Sequence, residues 1–140
     1  MARVISIHEY DLKPGVDLAA FERAIRDAER RGLFGLAGLV EHHFSRGIKG
    51  ARRDAYSAVW VFESREVWEK LWGSPEAPRP PTEYPKEWVV WENDILAPFL
   101  VRHPDTTRFT ETNDPPFNSL ATSVGFPIRS GRHAGRGEAR

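Results

Sequence analysis

Three clusters of residues could do chemistry. His8 lies in an apolar segment, Val4-Ile5-Ser6-Ile7-His8-Glu9-Tyr10, where alternation places it on one side with Ser6 and Tyr10. An imidazole is the side chain that, unperturbed, exchanges a proton near neutral pH, so His8 is a candidate general base and Ser6 a candidate substrate contact. The same pattern also suits a core histidine bonded to a neighbour. Glu41-His42-His43 is the densest polar insertion in any apolar run. Alternation sends His42 to one face and Glu41 with His43 to the other, which makes His43 a second candidate base and His42 a substrate contact. Glu41, His43 (or His42) and His8 together form a His₂-carboxylate set that could hold a metal ion, without motif spacing, and solvated or dimer-interface residues are the simpler account. No other cofactor is expected.

The third cluster is aromatic. The chain has five tryptophans, Trp60, Trp68, Trp72, Trp88 and Trp91, all within a third of its length. Tyr56 and Trp60 share a strand face, and with Trp68, Trp72, Trp88 and Trp91 they could line a cavity for a planar apolar compound. Tyr56 or Trp60 would donate a hydrogen bond to a developing oxyanion. Large rings filling a small core are the simpler account of at least part of this set.

These residues need elements to position them. Val4 to Tyr10 reads as a first strand, and Pro14-Gly15 ends it. Asp17 caps a helix in which Leu18, Phe21, Ile25 and Ala28 recur at steps of three and four, stopped by Gly32. Residues 39–45 and 55–62 read as an antiparallel pair joined by a nine-residue, two-glycine connection. Ser64 caps a short helix carrying Val67, Trp68, Leu71 and Trp72, ended by Gly73. A stiff proline-rich loop, 73–84, follows and could act as a lid. A third helix runs from Pro85 to Ala97 with Trp88, Trp91, Ile95 and Phe99 on one face, and residues 106–112 make a fourth strand.

The order β-α-β-β-α-α-β predicts an α+β, ferredoxin-like fold, with a four-stranded antiparallel sheet and helices on one face. Ile5, Ile7, Val59 and Val61 would then leave the second face apolar. That predicts pairing with a second copy, a homodimer.

Composition closes other routes. With no cysteine there is no disulfide, thiolate nucleophile, or cysteine-held zinc or iron–sulfur cluster. The 20 basic and 20 acidic residues cancel, but residues 113–140 hold four Arg and two acids, leaving 16 basic and 18 acidic in residues 1–112. A near-neutral body has no footprint for nucleic acid, and no apolar stretch is long enough for a membrane span. The start of the chain lacks a signal-peptide pattern, so a cytoplasmic location is expected. No dinucleotide, Walker or nucleophile-elbow motif occurs. The domain is expected to occupy 1–112, and the Pro/Gly/Arg-rich segment 113–140 to be a tail, partly docked or disordered.

Strand one running into Leu12-Lys13-Pro14-Gly15-Val16-Asp17, a strand ending Val61-Phe62-Glu63-Ser64 before a Trp-bearing helix, and Trp91-Glu92 with Ile95-Leu96-Ala97-Pro98 resemble the dimeric α+β barrel superfamily over residues 3–112. That superfamily includes antibiotic-biosynthesis and haem-degrading monooxygenases, the ethyl tert-butyl ether degradation family, stress-responsive barrels and olivetolic acid cyclase. The resemblance implies a homodimer with a small-molecule cavity between each sheet and its helices. Aligned on the cyclase, Tyr56 falls where that enzyme has its strand-three histidine and Val4 where it has its strand-one histidine, so neither is reproduced. The third helix lacks the axial histidine of haem-degrading members. The implied function is a small-molecule enzyme acting on a hydrophobic aromatic or polyketide-like compound, by cofactor-independent monooxygenase or cyclase/isomerase chemistry. A non-enzymatic binding or stress-type dimer and a His/carboxylate metalloenzyme are the alternatives.

Overall fold

The computed structural model of the chain describes residues 2–104 and 108–113. Of the tail expected over 113–140, Asn113 is the last residue of a strand and the rest lies outside the described residues, as do Thr106 and Thr107 of the expected fourth strand. Strands β1 (Val4–Tyr10), β2 (Leu39–Arg46), β3 (Tyr56–Phe62) and β6 (Arg108–Asn113) form one sheet in the order β2-β3-β1-β6. All three pairings are antiparallel. Helices α1 (Leu18–Arg30) and α2 (Arg65–Trp72) have the capping residues that the sequence predicts. Asp17 accepts from the Ala19 N–H at 3.0 Å and Ser64 from the Val67 N–H at 3.2 Å. Between α2 and the next helix, Gly73–Ser74 (β4) and Ala77–Pro78 (β5) make a small hairpin inside the proline-rich loop.

Register fixes which side chains share a face. Ser6 pairs with Trp60 and Glu111, and His8 with Ala58 and Phe109. His42 pairs with Trp60 and Phe44 with Ala58. Opposed residues in an antiparallel ladder project to the same side, so all of these face the helices. Ile5, Ile7, Val59, Glu41 and His43 therefore project from the other face. A bulge between Leu39 and Glu41 shifts the register at the start of β2.

The third helix is not the single regular helix expected over Pro85 to Ala97. It starts as α3 (Lys86–Val89), widens into a π-helical stretch over Val90–Leu96, and ends in a 3₁₀ turn over Ala97–Phe99. Pro98 has no N–H for the carbonyl of residue 94, and its ring would crowd that carbonyl in a regular helix. Widening relieves this, with the Ala97 N–H donating five residues back to Glu92. The end of the helix is tied to the end of β1: Lys13 N–H donates to Phe99 O and Val101 N–H to Asp11 O, both at 2.9 Å.

Gly38 sets the seat of α2. Its φ is +87°, and a Cβ built there would lie 1.8 Å from Val67 Cγ1. Gly38→Ala therefore combines a backbone penalty with overpacking and should cost about 2–3 kcal/mol in urea unfolding. Adding Val67→Ala should recover part of the loss, and a single-variant loss below about 0.5 kcal/mol would show that α2 is free to shift.

Candidate active site

A cavity of about 600 Å³ opens between the sheet and the helices. Its floor is the inner face of the sheet, where Ser6, His8, Trp60, Phe62, Phe109 and Glu111 project. Trp68 and Trp72 of α2 roof it, with Trp88 and Glu92 of the third helix. The proline-rich loop contributes Pro75, Pro78, Pro81 and Tyr84 along one side. Ring packing holds these walls: Trp88 stands edge-on to Trp60 at 4.9 Å and to Trp72 at 5.3 Å between centroids, and Trp72 packs on Tyr84 at 5.1 Å.

One chain of polar contacts crosses the apolar floor. His8 Nε2 is 3.0 Å from Ser6 Oγ. Ser6 Oγ in turn bonds Glu111 Oε2 across the β1–β6 ladder, and the Trp68 indole N–H donates to Glu111 Oε1 at 2.6 Å. Ser6 is only 4% exposed. Serine, not histidine, is the middle member, so this is not the order of a serine-hydrolase triad. Burial pushes His8 down to about 4, which keeps the ring neutral at pH 7. Burial also raises the Glu111 carboxyl above its ordinary range, an effect that the bonds from Ser6 and Trp68 partly offset. Glu92, 7% exposed, is a second carboxyl in the same cavity wall. Burial, and then the charge of Glu92, raise the nearby Tyr10 phenol.

The depressed His8 value is testable as stability. Between about pH 4 and 6.5 the unfolded chain binds a proton at His8 that the folded chain does not, so stability rises with pH across that window. Two to three pKa units amount to about 3 kcal/mol. Urea unfolding of the wild type should show this gain, and His8→Asn should lack it. A difference below about 1 kcal/mol would mean that the ring is solvated.

Of the residues singled out by sequence, Ser6, His8, Trp60, Trp68, Trp72 and Trp88 line the cavity. The others do not. Tyr56 opposes Tyr10 at the far end of the strands, where its hydroxyl bonds Glu22. Burial and then Glu22 raise its phenol. His42 stacks on Trp60 and bonds Glu29 at 2.9 Å. Trp91 is fully buried against Phe34 and Phe44. His43 is exposed on the opposite face, 3.0 Å from Glu41. His8 is thus separated by the sheet from Glu41 and His43, and those three cannot share a metal ion. Among the described residues no group of three His, Asp or Glu side chains is placed to hold one. Sequence reasoning passed over Glu111 and Glu92. Glu111 had one available signal, a lone carboxylate sharing alternation with Phe109 in the last strand.

No protein-family model and no curated protein matches the sequence. Solved structures do. A candidate antibiotic biosynthesis monooxygenase from Bordetella bronchiseptica superposes with a TM-score of 0.56 at 13% identity, covering 82% of this chain and 99% of that one. A dabb family protein with a ferredoxin-like fold from Mesorhizobium loti gives 0.53 at 14% identity, over 83% and 98%. SnoaB, a cofactor-independent oxygenase from Streptomyces nogalater, gives 0.52 at 11% identity, over 82% and 95%. The fold is ferredoxin-like, as in these structures. At these identities the likeness is one of fold. In this ferredoxin-like chain the described helices include none long and apolar enough to cross a membrane.

Proposed function

We propose that the protein is a cofactor-independent oxygenase acting on a planar, apolar compound with an acidified C–H, as in polycyclic phenols and polyketide-derived ring systems. The observation that carries this reading is the cavity of about 600 Å³ with aromatic walls and a neutral, Ser6-held His8 in its floor. That volume lies inside the range of roughly 300–1,000 Å³ for small-molecule sites. The likeness to SnoaB, a cofactor-independent oxygenase, supports the choice of reaction class.

His8 accepts the proton from the acidified carbon, and the aromatic walls hold the ring system flat over it. The resulting carbanion is the reductant: it combines with dioxygen, and the protonated peroxide loses water to leave a carbonyl. A methylene and O₂ become a ketone and water, with no external electron donor. Trp60, Trp68 and Trp88 serve as substrate contacts. Cyclase or isomerase chemistry would use the same proton transfer without oxygen, and a binding protein would use neither.

Anthrone, a tricyclic ketone with an acidified central methylene, separates these readings. The oxygenase reading predicts loss of anthrone, uptake of one O₂ and appearance of anthraquinone, unaffected by chelator and absent under nitrogen. Binding of anthrone, seen as tryptophan quenching, with no rate above buffer would overturn it.

The assembly is a homodimer formed through the outer sheet face, where Ile7 remains 36% exposed beside Ile5 and Val59. Sedimentation should give twice the 16.0 kDa chain mass, and Ile7→Glu should shift it to the monomer. An Ile7→Glu protein that stays dimeric would place the interface elsewhere.

A further inference from the structure

The Trp68 indole fixes one hydrogen bond of Glu111, and this ties the tautomer of His8 to the protonation of a carboxyl on another strand. The Trp68 indole N–H can only donate, so Glu111 Oε1 must accept. Any acid proton on Glu111 therefore sits on Oε2, the oxygen that faces Ser6. A protonated Glu111 donates to Ser6 Oγ, whose own hydrogen must then go to His8 Nε2. That arrangement requires the ring proton of neutral His8 on Nδ1. An ionised Glu111 instead accepts from Ser6, which frees Ser6 Oγ to accept from an Nε2–H of His8. Nδ1 is then the basic nitrogen.

We propose that Glu111 is the positioning residue of the site and its proton reservoir: through Ser6 it sets which nitrogen of His8 is basic, and it stores the proton that His8 removes from a substrate. The second clause rests on the reading of His8 as the base; the first does not. In the transfer a substrate C–H proton moves to His8 Nδ1 and the electron pair stays on carbon. The Nε2 proton passes to Ser6 Oγ, and the Ser6 proton to Glu111 Oε2. His8 ends neutral as the other tautomer, so no isolated imidazolium forms in a site that disfavours one. The reverse transfer returns the proton to the peroxide. Glu111 also borders a second recess of about 180 Å³ beside Arg65, where it can equilibrate with solvent.

The groups facing this chain are His8 and Tyr10 on β1, Arg65 on α2 and Glu92 on the third helix. All four remain in a Glu111→Gln variant, so the comparison isolates Glu111. The test is the nitrogen chemical shifts of His8 in ¹⁵N-labelled full-length protein between pH 5 and 9, assigned by their loss in His8→Asn. The side-chain amide of Glu111→Gln would accept from Trp68 and donate to Ser6, as the protonated acid does. The wild type at pH 9 should show the Nε2–H tautomer, and Glu111→Gln the Nδ1–H tautomer at every pH. The indole shift of Trp91, buried in the core against Phe34 and Phe44, confirms that the variant is folded. The same tautomer in both proteins at pH 9, or a Glu111-dependent difference that survives Ser6→Ala, would overturn the proposal. Failure of the anthrone experiment would leave this result standing.

Discussion

Replacing His8 by asparagine should lower oxygen-dependent turnover of anthrone by about 10²–10⁴-fold, the usual contribution of a positioned general base. Asparagine keeps a polar group near Ser6 but has no basic nitrogen. KM should change little, because the aromatic walls of the cavity hold the substrate. An equal loss in kcat and kcat/KM is the signature of an interaction made in the transition state. Steady-state oxygen uptake at several anthrone concentrations measures both. Turnover within about threefold of wild type would remove His8 from the mechanism.

Trp60→Ala should be the most destabilising of the aromatic replacements, at about 3–5 kcal/mol. Trp60 is 1% exposed and belongs both to the core and to the cavity floor. On one side it packs on Phe34 at 5.1 Å and Phe44 at 5.4 Å; on the other it meets Trp88 at 4.9 Å. No neighbour can fill the space without moving the floor, so the transfer and void costs add. Trp60→Phe should cost less than half as much. Urea unfolding measures both, and a loss under about 1.5 kcal/mol for Trp60→Ala would mean that this part of the core collapses around the gap.

Alternation and capping made the element order legible. Strands β1 and β3, the caps at Asp17 and Ser64 and the single helical layer all follow from local pattern. The shared face of Ser6, His8 and Trp60 also follows, because period-two alternation decides faces. Position along a strand does not follow from alternation. Tyr56 and Trp60 share a face, yet they lie four positions apart, so Tyr56 sits at the Tyr10 end by Glu22 while Trp60 floors the cavity. Register came from a loop and a bulge whose geometry no periodicity encodes.

Helical phase was the second blind spot. A constant 3.6-residue period puts Trp88 and Trp91 on one face, but the π-helical stretch separates them. Trp88 lines the cavity with Glu92, and Trp91 enters the core. Glu111 was hidden for a different reason: its importance lies in its partners, Ser6 from β1 and Trp68 from α2, which are distant in sequence.

The placement of chemistry in the sheet–helix cavity is tested most directly by a crystal structure of the protein with 1,8-dihydroxyanthraquinone, a three-ring product analogue. The ring system should lie in the cavity between the sheet floor and the roof formed by Trp68 and Trp72, with one edge at His8. Binding on the outer sheet face, or a cavity that stays empty while the compound sits elsewhere, would contradict the assignment of this cavity as the site.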